Sequence, residues 1–255
     1  MEVSLPGYRL PLRTRARECK EIAAGEKMDA TLGAAPYETT RVADHATSRK
    51  LGAELIGTFF LVFTVGASVR GGSTLAPLAI GAVLMVMIYA GGHISGGHYN
   101  PAVTMAALVR GRIGVGEAVG YWVTQLVAGV LAALVVRAVV APGSATTLAL
   151  SGSAMVGAFV VELLFTFALC YVVLNVATSK DHPDNSFYGL AIGFTVLVGA
   201  VAVGGISGGA FNPAVVLGGA VMGLFPWTAL IYLVAELLAG VAAGLAFRAL
   251  NPTDK

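Results

Sequence analysis

Two asparagines in this chain sit in nearly identical surroundings. Ile94-Ser95-Gly96-Gly97-His98-Tyr99-Asn100-Pro101-Ala102-Val103 returns 112 residues later as Ile206-Ser207-Gly208-Gly209-Ala210-Phe211-Asn212-Pro213-Ala214-Val215. Asparagine is among the best N-cap residues and proline is favoured in the first helical turn, so each pair predicts a helix start. A capping asparagine spends its carbonyl oxygen on a first-turn N–H. Its NH2 then points away from the helix as a donor. The helix end adds roughly half a positive charge. Both pairs interrupt apolar sequence, where an amide is costly unless it faces water or protein. The chemistry on offer is hydrogen-bond donation and repulsion of cations. No nucleophile, base and orienting group stand at a recognisable spacing, so no enzyme activity is expected. Nothing in the spacing suggests a metal site or a cofactor.

The elements around these pairs must be membrane-spanning. Of 255 residues, 56% are hydrophobic and 12% charged, too apolar for a soluble domain of this size. The 33 glycines suit close packing of transmembrane helices. A net charge of +2 gives no support for a nucleic-acid partner. Cys19 lies in a polar stretch and Cys170 in an apolar one, so no disulfide is expected. Six apolar segments, at about 50–70, 76–93, 116–137, 156–178, 187–204 and 226–249, reach the roughly 20 residues needed to cross the hydrocarbon. Two shorter ones, about 101–110 and 213–222, begin at the Asn-Pro pairs. Ten helical residues rise only about 15 Å, so these are half-helices. Residues 1–48 are polar, rich in basic residues and broken by Pro and Gly. They read as a disordered cytoplasmic tail ahead of a channel domain at 49–250, with no apolar run of signal-peptide length.

The duplication extends beyond the motifs. Leu78-Ala79-Ile80-Gly81 matches Leu190-Ala191-Ile192-Gly193, Glu54 matches Glu162, and Tyr121 and Gly129 match Tyr232 and Gly240. Each repeat, about 50–137 and 156–249, is span, span, half-helix, span. Three spans are an odd number, so the second repeat is inverted and the two half-helix starts oppose each other. The predicted fold is an all-α membrane protein with six transmembrane helices and two re-entrant half-helices. A water between the two donors would point its hydrogens outward along the tube. It could not join a continuous proton relay, and the positive centre would repel cations. Lys and Arg lie mostly on the side of the N-terminus, which places both termini in the cytoplasm. Gln125 and Glu236 occupy matched positions with no role apparent, and Tyr121, Trp122, Trp227 and Tyr232 read as anchors at the membrane interface.

The stretch from Gly92 to Thr104 resembles the first signature of the aquaporin (major intrinsic protein) family, and Ser207 to Ala214 resembles the second. The likeness covers about residues 50–250 and fits a prokaryote-like member. It implies a pore in each subunit of a homotetramer in the cell membrane. Along that pore it places Asn100, Pro101, Ala102, Asn212, Pro213 and Ala214, with Gly96, Gly97, His98, Tyr99, Gly208, Ala210 and Phe211 as further lining. Glu54 and Glu162 would accept hydrogen bonds from the backbone of the re-entrant loops, a proton relay being the other reading. The outer filter corresponds to Ile80, Ala200, Gly209 and Val215. Most members carry Arg where Val215 stands, and water-selective ones usually place an aromatic and a His at the first two positions. Glycerol-conducting members usually follow that Arg with Asp, where this chain has Val216. The expectation is a passive channel in the lipid bilayer. Its partners would be water and small neutral solutes such as ammonia or hydrogen peroxide, with protons and ions excluded. The alternatives are a secondary transporter, which lacks support because no carboxylate adjoins the Asn-Pro pairs, and a polyol-conducting facilitator.

Overall fold

Crossing about 30 Å of hydrocarbon takes roughly 20 helical residues, and six helices among the described residues are long and apolar enough. In chain order the helices are α1 (Thr47–Arg70), α2 (Ala76–Ser95), α3 (Pro101–Arg110), α4 (Val115–Val135), α5 (Ser153–Thr178), α6 (Tyr188–Ser207), α7 (Pro213–Val221) and α8 (Tyr232–Leu250). A wider helical turn extends α4 over Val136–Val140, and a 3₁₀ turn over Trp227–Ile231 leads into α8. This computed structural model describes residues 47–140, 148 and 151–254. The expected tail lies outside the described residues except at Thr47 and Ser48, which already belong to α1.

Helices α2 and α6 run two or three residues past the apolar windows that predicted them. Hydropathy falls at their C-terminal ends, but a helix needs a stop signal as well as a polar residue. The signal is glycine in the left-handed region, Gly96 at φ 89° and Gly208 at φ 94°, where a side chain would be strained. Their N–H groups bond back to Gly92 O at 2.8 Å and Gly204 O at 2.9 Å.

The two repeats interlock. Helix α1 packs on α4 and α5 on α8, each pair within one repeat, while α2 meets α6 across the repeats. Each half-helix packs on the third span of the other repeat, α3 on α8 and α7 on α4. Glycine permits this approach. A Cβ at Gly129 would lie 2.6 Å from Ala214 O, and one at Gly240 would collide with Ala102 O. These are the alanines of the two Asn-Pro-Ala triplets. The backbone just inside each half-helix start is therefore seated directly against a span of the opposite repeat.

Outward faces carry exposed apolar side chains, among them Val86, Val123, Leu164, Val201 and Leu238. Such a surface suits lipid. At one end, Arg110 of α3 is buried against Asp254, with Nη2 2.7 Å from Oδ1, and its guanidinium lies 4.2 Å from the centre of the Phe247 ring. A charge that looks like an orientation signal in the sequence is thus a tie between α3, α8 and the C-terminal segment.

Replacing Gly240 by Val should destabilise the protein by about 3 kcal/mol or more, because backbone rather than a flexible side chain must yield. Thermal unfolding in detergent measures it. An unchanged midpoint would mean that α3 does not rest on α8.

Candidate functional site

The two half-helix starts are built the same way. Asn100 and Asn212 are extended, at φ −158° and −160°, and their Oδ1 atoms accept from Ala102 N at 2.8 Å and Ala214 N at 2.9 Å. Each amide nitrogen then reaches the other repeat. Asn100 Nδ2 donates to Phe211 O at 2.8 Å and Asn212 Nδ2 donates to Tyr99 O at 2.9 Å. An amide nitrogen carries two N–H groups, so each asparagine ties the loops together with one and retains a second.

The residue before each asparagine is held in an unusual conformation. Tyr99 has φ 48° and Phe211 φ 50°, a region that costs a non-glycine residue about 1–2 kcal/mol. Two buried carboxyl groups hold it. Glu54 Oε2 accepts from Tyr99 N at 2.7 Å, and its Oε1 accepts from His98 N at 2.9 Å and Ser95 Oγ at 2.7 Å. Glu162 repeats this with Phe211 N at 2.7 Å, Ala210 N at 3.0 Å and Ser207 Oγ at 2.6 Å. These contacts fill the role of loop support and leave both glutamates wholly buried.

A cavity of about 460 Å³ runs between the repeats. Asn100, Asn212, Gly97, His98, Gly208 and Ala210 line it, as do Ile80, Ala200, Gly209 and Val215. Its walls are otherwise apolar, including Leu61, Val65, Leu84, Ile88, Val173 and Val196. Gly209 lies against Ala200, where an added Cβ would come within 3.3 Å of the Ala200 Cα. His98 Nδ1 is 3.0 Å from Thr104 Oγ1, and its ring meets Tyr121 edge to face.

Seven residues expected along the pore lie outside the cavity lining. The rings of Tyr99 and Phe211 are buried and absent from the lining, because the left-handed backbone turns them into the helix packing. Tyr99 donates from its hydroxyl to Met87 O at 2.9 Å, and Phe211 packs on Phe165. Their carbonyl oxygens, not their side chains, serve the site. Gly96 is spent on ending α2 and does not line the cavity. Pro101, Ala102, Pro213 and Ala214 are buried in the half-helices and are likewise outside the lining.

Several site residues escape a reading of the sequence. Tyr121 and Tyr232 are wholly buried rather than interfacial, and donate to Ser95 O at 2.7 Å and Ser207 O at 3.3 Å, carbonyls at the ends of α2 and α6. Their matched spacing was the available signal. Arg137 donates to Val221 O at 3.0 Å and Arg248 to Val109 O at 3.3 Å, so each half-helix ends on a cation suited to its negative pole. Arg70 joins them at Met222 O, 3.0 Å. Phe225, following α7, lines the cavity and wedges against Gly208 and Gly219, adding bulk that no motif announces.

Six apolar helices, two inverted half-helices and one apolar lumen with paired amides define a polytopic channel of the re-entrant-loop type. The model of the family described as "Major intrinsic protein" matches residues 41–247. The chain belongs to that family, whose members are passive channels and not enzymes. It is 42% identical to "Glycerol uptake facilitator protein-like 6" of Lactiplantibacillus plantarum over 181 residues, 68% of this chain and 83% of that one. It is 34% identical to "Aquaporin NIP1-1" of Zea mays over 221 residues, 81% and 76% of the two chains. The X-ray structure of the aquaglyceroporin from Plasmodium falciparum superposes with a TM-score of 0.64 over 82% of this chain and 96% of that one, at 22% identity, a likeness of fold.

Asn212→Asp keeps the oxygen that caps α7 but loses the donor to Tyr99 O and adds negative charge to the lumen. It should cost about 1–3 kcal/mol in stability and admit cations, read as cation flux in proteoliposomes. Cation exclusion equal to wild type would remove the amide from the selectivity mechanism.

Proposed function

We propose that this protein is a passive pore for water and small neutral solutes, ammonia and hydrogen peroxide among them, that excludes protons and ions. One observation carries the reading: both asparagines line a single apolar lumen, each locked by a cap and a cross-repeat bond with an amide N–H to spare. A permeating molecule offers its oxygen or nitrogen lone pair to those donors. A water so bound points its hydrogens toward the two mouths, which breaks the relay a proton would need. The two half-helix N-termini add positive potential at the same place. The lumen walls give little else to bond, so a permeant passes without being trapped.

The outer filter supports breadth beyond water. Ile80, Ala200, Gly209 and Val215 bring no fixed charge and little bulk, with the Phe225 ring packed beside them against Gly208. Names among the relatives include both aquaporin and glycerol uptake facilitator, so glycerol belongs in any test panel. The proposed assembly is a homotetramer in the cell membrane with both termini in the cytoplasm.

Proteoliposomes should shrink faster than empty liposomes in an osmotic jump, with no gradient of any coupling ion. A folded protein that leaves the rate unchanged would sink the reading, and dependence on an ion gradient would favour a transporter. Val215→Arg should reduce the flux of solutes larger than water by about tenfold or more relative to water, since both size and polarity then count against them. Unchanged relative permeabilities in a normally assembled protein would place the selectivity step elsewhere.

A further inference from the structure

The two repeats differ at one position beside the pore asparagines. In the first repeat the third span carries Gln125. Its Nε2 donates to Glu54 Oε2 at 2.9 Å and to Thr104 Oγ1 at 3.1 Å. Glu54 thereby receives four donors, two on each oxygen. In the second repeat the matched residue is Glu236. Its carboxyl is buried in the same cluster as that of Glu162, the counterpart of Glu54, and the two interact electrostatically. Glu236 Oε1 accepts from Asn212 N at 2.7 Å, so a carboxyl group does adjoin the second Asn-Pro pair, contrary to the expectation from sequence spacing, while Oε2 is buried with no partner. Both glutamates are fully buried. Among the described residues the ion pairs join Lys50 to Glu117 and Arg110 and Arg112 to Asp254, none of them at this cluster. The other titratable groups facing it are Tyr232 and Cys170.

A buried carboxylate oxygen with no donor, next to a second carboxylate and without an ion-pair partner among the described residues, is an arrangement that folding avoids. A single proton resolves it. We infer that Glu236 is a positioning residue held as a neutral carboxylic acid, whose Oε2–H donates to Glu162 in the place where Gln125 donates to Glu54, while its Oε1 fixes the backbone of Asn212. The pair Glu162–Glu236 then carries one negative charge and one shared proton, as carboxyl dyads do. The bond count becomes equal in the two repeats, with a carboxylic O–H standing for an amide N–H. Glu236 touches no permeant. It acts through the Asn212 peptide, and the inference uses the reading of Asn212 as a pore residue only for its consequence in flux.

Infrared spectroscopy of the wild-type protein at neutral pH, set against Glu236→Gln and Glu236→Ala, tests it. The wild type should show a carboxylic-acid C=O band that exchanges slowly in deuterated water and is lost in both variants. Glu236→Gln supplies the same donor and the same acceptor, so its osmotic water flux and melting temperature should equal those of the wild type. Glu236→Ala should melt about 4–8 °C lower and lose part of its flux. A wild type without the acid band, or a Gln variant as damaged as the Ala variant, would overturn the inference. Should no protein in the set conduct water, the band and the melting temperatures still decide the protonation state, and only the proposed pore falls.

Discussion

Backbone that enters hydrocarbon outside a helix must find a partner for every N–H and C=O it exposes. Two non-helical loops lie among the spans here, residues 96–100 and 208–212, and much of the structure around them answers that requirement. Each loop gives two N–H groups to a buried glutamate, and the carbonyl just before its asparagine accepts from the asparagine of the other loop. The cross-repeat bonds are reciprocal, so neither loop is satisfied unless the other is in place. That dependence joins the halves of the protein at the point where its lumen is most polar.

The same economy explains the rest of the site. The oxygen of each asparagine is held by its own helix and one amide N–H by the opposite loop, so the orientation of the remaining N–H is set by the protein's own bonds. In the pore we propose, preorganised donors of this kind would need no rearrangement when a molecule passes. Glycine at 129 and 240 lets the half-helices sit against the opposite repeat. Arginine at 137 and 248 closes their far ends. The left-handed Tyr99 and Phe211 put two aromatic side chains into the packing and set their carbonyls against the asparagines of the opposite loops.

Much of this was legible in the residues. Periodic apolar length marked the six spans, the Asn-Pro pairs marked the half-helices, and the 112-residue echo required inversion. What escaped was whatever depends on backbone sign or on contacts between distant segments. Nothing in Tyr99 or Phe211 announces a positive φ, because an aromatic residue rarely adopts one. Tyr121 and Tyr232 look interfacial from their polar tips, yet buried carbonyls at the ends of α2 and α6 claim them. Arg137 and Arg248 count as topology signals until the half-helix ends are seen beside them. Phe225 has no aromatic counterpart in the first repeat, where Ile113 stands 112 residues earlier, and only the folded chain brings it to Gly208.

Neutron diffraction from crystals grown in deuterated water would test the central point most directly, since it locates the protons that ordinary X-ray structures leave to inference. The second Nδ2 deuteron of Asn100 and of Asn212 should point into the lumen, with a water accepting from both and its own deuterons directed toward the two mouths. An asparagine oxygen facing the lumen, or a file of waters running in one orientation past both residues, would contradict it.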